Sequence, residues 1–121
     1  PKGYEPSSNV VAIDSSYCQL SNSPQASVER ADLVVTDTWA SMGQESEKQQ
    51  RLDDFNGFCV DATLMQLANK DALFMHCLPA YRGFEVSEDV FEGPQSVVFQ
   101  EAENRLHAQK ALLEKLLVNK N

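Results

Sequence analysis

The chain has 121 residues, 42% hydrophobic and 23% charged, enough apolar material for one small domain with a core. Its formal charge of −8 argues against a nucleic-acid or anionic-membrane surface. No apolar run reaches the length of a membrane span, and no signal peptide is visible.

Cys18, Cys59 and Cys77 are scattered and make no CxxC pair. That disfavours a zinc site and favours a reducing, intracellular compartment, whether cytoplasm, mitochondrion or plastid. The chain opens with Pro1 rather than methionine, which suggests a fragment or a processed product.

In chain order, Pro1 to Pro6 is turn-like. Ser7 or Ser8 could cap a helix over Asn9 to Tyr17, with Val10, Ile13 and Tyr17 on one face. Ser21 to Pro24 is a loop, and Pro24 suits the first turn of a short helix from Gln25 to Arg30. Asp32 to Asp37 reads as a short, β-branched buried strand. After the loop at Ala40 to Gly43, Glu45 to Asp54 holds helix formers with acids early, as a helix amino end favours. Phe55 to Val60 is irregular, and Asp61 could cap a helix through Leu64, Leu67 and Ala68.

Ala72 to Cys77 is a second apolar strand. Pro79 cannot donate to a ladder, so this strand should stop near Leu78. Ala80 to Gly83 is a loop, and Ser87 to Phe91 one helical turn ended near Gly93-Pro94. Ser96 to Phe99 reads as a third strand. Glu101 to Val118 is an amphipathic helix with Ala102, Leu106, Leu113, Leu116 and Leu117 near one stripe. Alternating strands and helices argue for an α/β fold, a Rossmann-type parallel sheet covered on both faces. With only three strands, it looks like the later part of such a domain.

Three stretches could carry chemistry. The first is Asp37-Thr38-Trp39-Ala40-Ser41-Met42-Gly43. Asp37 ends one strand as Cys77 ends another, and neighbouring strands would bring both to the ligand-binding edge of an α/β sheet. A carboxylate there can hold an ammonium group, with Ser41 and the Met42 amide adding hydrogen bonds. The same residues would also suit an Asx-turn and a helix cap.

The second stretch is Phe74 to Ala80. His76 and Cys77 are adjacent and point to opposite faces of a strand, which makes them a poor nucleophile–base pair. Cys77 is therefore better suited to binding than to attack, or both are simply core residues. The third stretch is Glu101 to Arg105, where Arg105, one turn into the last helix, could meet a carbonyl or phosphate oxygen, or merely pair with Glu101 four residues earlier.

Taken together, Asp37-Thr38-Trp39-Ala40-Ser41-Met42-Gly43-Gln44-Glu45, Phe74-Met75-His76-Cys77-Leu78-Pro79-Ala80 and Glu101-Ala102-Glu103-Asn104-Arg105 resemble the ornithine carbamoyltransferases. Pro1 to Pro6 is similar to another stretch of that family, and the likeness is weakest over Ser8 to Arg30. The resemblance implies the amino-acid-binding, Rossmann-type domain over residues 1–121, without its first strand and without the carbamoyl-phosphate domain.

It implies transfer of a carbamoyl group from carbamoyl phosphate to ornithine's side-chain amine, giving citrulline, in a parent enzyme. The parent would be a homotrimer, using no metal or organic cofactor and no nucleic-acid or membrane partner. Asp37, Ser41 and Met42 would hold the amino-acid end of ornithine. His76, Cys77 and Leu78 would line the site of the reacting amine, and Arg105 would reach the carbamoyl oxygen.

Two other readings differ in class or substrate: a non-catalytic amino-acid-binding fragment, and a transcarbamylase using another amine such as putrescine. Asp37 and Ser41-Met42-Gly43 speak against putrescine, which has no amino-acid end to grip. A nicotinamide dehydrogenase half would need a Gly-x-Gly-x-x-Gly turn, which the chain lacks.

Overall fold

The computed structural model describes residues 1–11, 17–40, 43 and 45–118. Helices α1 (Ser8–Val11) and α2 (Pro24–Val28) precede strand β1 (Leu33–Thr36). A 3-10 turn at Glu45–Glu47 leads into α3 (Lys48–Asp54), then α4 (Ala62–Met65) and β2 (Leu73–His76). Helices α5 (Glu88–Phe91) and α6 (Val98–Val118) complete the order.

Local chemistry explains the boundaries. Ser23 caps α2 by accepting from the Ala26 amide at 3.3 Å, with Pro24 in the first turn. Asp61 caps α4 by accepting from the Leu64 amide at 2.7 Å. Caps of this kind contribute about 1 kcal/mol each. Gly93 follows α5 because the chain doubles back there, and a Cβ at that position would lie 2.6 Å from the Asp89 carbonyl oxygen.

β1 and β2 pair in parallel, Leu33 with Leu73, Val34 with Phe74, Val35 with Met75 and Thr36 with His76. Parallel strands need a long crossover, and the segment carrying α3 and α4 supplies it. On its other side β2 meets the loop before α6. The Phe74 amide donates to the Gln95 carbonyl at 2.8 Å, and the Val97 amide donates to the Phe74 carbonyl at 2.9 Å. A further single bridge joins Val60 and Val86. Val34, Leu64, Phe74, Val86, Phe91 and Val98 form the centre of the core, with Phe74 and Val86 at 0% exposure.

Several expectations change. Ser96 to Phe99 is not a third strand: pairing with β2 is a single bridge at Ser96, and α6 begins at Val98. The short β-branched run there is one that periodicity cannot assign. Arg105 accordingly lies two turns, not one, into the last helix. That helix buries Val98, whereas Leu106, Leu113, Leu116 and Leu117 are exposed.

The sheet is also not covered on both faces. Alternation sends Val34 and Phe74 into the core and leaves Leu33, Val35 and Leu73 exposed, because no described helix packs against that side. The first helix stops at Val11, Tyr17 sits in an exposed turn, and residues 12–16 lie outside the described residues. The helix after Asp61 ends at Met65, so Leu67 and Ala68 fall in the turn beyond it.

Candidate functional site

Thr36 and His76 form the last rung of the parallel pair. The next residues, Asp37 and Cys77, therefore leave the carboxyl edge of the sheet side by side. The Cys77 thiol donates to Asp37 Oδ1 at 3.1 Å, and the Thr38 amide donates to the same oxygen at 2.6 Å. Both side chains are exposed, so the carboxylate keeps lone pairs free toward solvent. The two residues named from the sequence as ends of neighbouring strands thus touch, forty positions apart in the chain.

This contact sets the chemistry of Cys77. The hydrogen bond to the Asp37 carboxylate holds the thiol above its ordinary range, and partial burial and the negative charges of Asp37 and Glu101 act in the same direction. At neutral pH the sulfur is a protonated donor, unlike a nucleophilic cysteine, whose thiolate is stabilised by cations or helix dipoles. Iodoacetamide should therefore label Cys77 slowly at pH 7–8, more slowly than the exposed Cys18. Asp37→Asn should accelerate labelling by removing the carboxylate's charge, as followed by peptide mass spectrometry. No acceleration would mean that Asp37 does not govern the thiol.

His76 lies directly behind this pair and faces the other way, as strand alternation requires. Its ring is 0% exposed and both nitrogens are engaged. Nδ1 accepts from the Leu78 amide at 2.9 Å, and Nε2 lies 3.2 Å from Glu85 Oε1. Glu85, 1% exposed, also accepts from the Tyr81 amide at 2.6 Å. His76 therefore braces the strand end from inside, while Leu78, half-buried against the core, follows Cys77 with a positive φ of 52° before Pro79.

Arg105 is exposed on α6 and forms no bond to Asp37 or Cys77 among the described residues. Ser41 and Met42 lie outside the described residues. One buried acidic group, Glu85, escaped the sequence reading, and Glu101 entered it only as a possible partner of Arg105. Glu85 sits in a loop with no periodic signal. Glu101, in the first turn of α6, has one buried carboxylate oxygen without a partner among the described residues and adds to the field on Cys77.

Beside Asp37, an open groove of about 710 Å³ runs along β1 and is lined by Tyr4, Val34, Val35, Trp39, Arg51 and Phe55. Its wall is an aromatic stack: Trp39 lies 5.3 Å and Tyr4 4.9 Å from the Phe55 ring, with the Arg51 guanidinium over Tyr4 at 5.2 Å. A second concavity, about 520 Å³, is lined by Asn69, Lys70 and Gln95 at the opposite, amino ends of the strands. It shares no residue with the Asp37–Cys77 edge.

Comparison with known proteins gives the chain's relatives. A family profile described as "Aspartate/ornithine carbamoyltransferase, Asp/Orn binding domain" matches residues 1–116. An ornithine carbamoyltransferase from Methylococcus capsulatus is 60% identical over 117 residues, covering 97% of this chain and 39% of the relative. The structure of the anabolic ornithine carbamoyltransferase from Campylobacter jejuni superposes with a TM-score of 0.88 at 43% identity, over 100% of this chain and 42% of that one. The enzyme from Pyrococcus furiosus gives 0.84 at 47% identity, over 94% of this chain and 39% of that one.

The chain thus spans 39% of the length of curated relatives that it matches. With a profile match over nearly its whole length and an α/β fold shared with solved relatives, the chain belongs to the aspartate/ornithine carbamoyltransferase family, in its amino-acid-binding domain.

Proposed function

We propose that residues 1–121 are the ornithine-binding part of a carbamoyltransferase that makes citrulline and phosphate from ornithine and carbamoyl phosphate. The observation that carries this reading is the Asp37–Cys77 contact at the carboxyl ends of adjacent parallel strands. An exposed carboxylate there can grip the α-ammonium of an amino acid, with Ser41 and Met42 adding hydrogen bonds. The neutral Cys77 thiol and the Leu78 carbonyl would lie along the substrate to its reacting amine. Arg105 would reach the carbamoyl oxygen once a partner domain presents carbamoyl phosphate.

The chemistry needs no covalent enzyme intermediate. The uncharged side-chain amine attacks the carbamoyl carbon, charge gathers on oxygen, and phosphate leaves. Donors aimed at that oxygen stabilise the transition state, and alignment of two substrates removes much of the entropic barrier. Because an ammonium ion is not nucleophilic, the rate should rise with pH as the bound amine loses its proton. The other domain and the trimeric assembly would come from the rest of a family enzyme.

The test is to join this chain to the carbamoyl-phosphate domain of a relative and assay citrulline. Formation of citrulline that depends on both substrates supports the reading; a folded hybrid that binds carbamoyl phosphate but neither binds nor carbamoylates ornithine refutes it. In that hybrid, Cys77→Ser should lower ornithine use yet leave measurable turnover, since a hydroxyl can replace a thiol that only binds. Mass-spectrometric capture of a carbamoyl-thioester on Cys77 would contradict this.

A further inference from the structure

Outside the residues already given roles, the most constrained polar group among the described residues is Glu85. It is a carboxylate at 1% exposure whose Oε1 accepts from the Tyr81 amide and faces His76 Nε2. Burying a carboxylate is costly unless its bonds are satisfied. Here one partner, His76, ends β2 and the other, Tyr81, lies in the loop that follows it.

The proton on His76 can be placed from the geometry. The Leu78 amide can only donate, so Nδ1 must be the acceptor and carry no hydrogen. The ring proton then sits on Nε2 and donates to Glu85. One carboxylate thereby dictates which face of the imidazole is left to accept from Leu78.

Leu78 needs that bond. Its φ of 52° places it in the left-handed region, where a branched residue without a compensating contact is strained. With the amide tied inward to His76, the turn carries the Cys77 thiol to Asp37. Without the tie, Leu78 is released from the left-handed conformation and the thiol from its position.

We propose that Glu85 is a positioning residue for the substrate edge. By fixing His76 as the Nε2–H tautomer, it sets the turn that presents Cys77 and the Leu78 carbonyl. The inference rests on the functional reading above only for the use of that edge; the turn geometry can be tested without substrate.

The experiment uses the 121-residue chain. Long-range ¹H–¹⁵N NMR spectra report the tautomer of His76, with the exposed His107 the only other histidine. Peptide mass spectrometry reports Cys77 alkylation. Wild type should show the His76 ring proton on Nε2 with Nδ1 as the acceptor; a proton on Nδ1 would overturn the proposal without any variant.

Glu85→Gln retains an oxygen that can accept both bonds, and should keep the tautomer and the slow thiol. Glu85→Leu removes the acceptor. It should give mixed tautomers and speed Cys77 labelling on the order of tenfold, the scale of one lost hydrogen bond. Unchanged tautomer and labelling in a folded Glu85→Leu would overturn the proposal.

If that variant does not fold, a second pair decides. The Asn Oδ1 in His76→Asn falls where Nδ1 accepts from Leu78, whereas the Gln amide in His76→Gln reaches the Nε2 position instead. Slow labelling retained in Asn and lost in Gln supports the role; equal or reversed rates refute it. Ornithine titration of wild type is scored separately. Its failure would count against the ornithine reading and leave the tautomer result standing.

Discussion

Replacing Asp37 by Asn is expected to weaken ornithine binding by about 10- to 100-fold while leaving carbamoyl phosphate affinity within about twofold. The side chain keeps its size and its acceptor oxygen for the Thr38 amide. What it loses is the negative charge facing an ammonium. A charge-assisted hydrogen bond contributes about 1.5–3 kcal/mol, and each 1.4 kcal/mol is about tenfold in affinity.

Carbamoyl phosphate carries no ammonium for Asp37 to grip, so its binding should be spared. Separate titrations of the two ligands, in this chain joined to a carbamoyl-phosphate domain, give the comparison. Equal weakening of both would show that Asp37 supports the fold and not the amino-acid end of the substrate.

Phe74→Ala is expected to destabilise the chain by about 3–5 kcal/mol, the usual result of removing a fully buried aromatic side chain and leaving a cavity. Phe74 is at 0% exposure on the central strand, bonded through its backbone to the loop before α6 and flanked in register by Val34. Small domains have only about 5–15 kcal/mol in all, so much of this chain should lose cooperative unfolding in urea. Leu112→Ala removes a smaller, aliphatic group from an exposed position on α6 and should shift the midpoint little. If both variants behave alike, the core is not organised around Phe74.

Much of the site could be read before the fold was known. Asp37 and Cys77 each followed a short apolar run, and a parallel pairing was enough to bring them together. Asp61 and Pro24 announced their helices by local chemistry that no distant contact needs to decide. His76 and Cys77 were separable by the two-residue period of a strand, and they do face opposite ways.

The failures are equally local. Val97-Val98-Phe99 has strand composition, yet a helix begins inside it; three residues cannot distinguish the two periods. The leucines of the last helix were assigned to a stripe without knowing what it would meet. Glu85 offered no signal at all, because its significance depends on a turn that returns it to a histidine nine positions earlier. An acid in an ordinary loop gains meaning only when burial and two donors converge on it.

The last helix has a consequence in time as well as in space. α6 is fixed near Val98, where the Phe99 ring packs edge-on against Phe91 at 6.0 Å, while its later turns lie in solvent. Helical turns without tertiary support are only marginally stable, so each turn farther from Val98 has less to lose by opening. In the chain by itself, backbone amides along α6 would exchange with deuterium as a staircase: slowest beside the sheet, faster at every turn outward, and nearly unprotected before Val118. A single rod of secondary structure would thus hold a graded series of lifetimes.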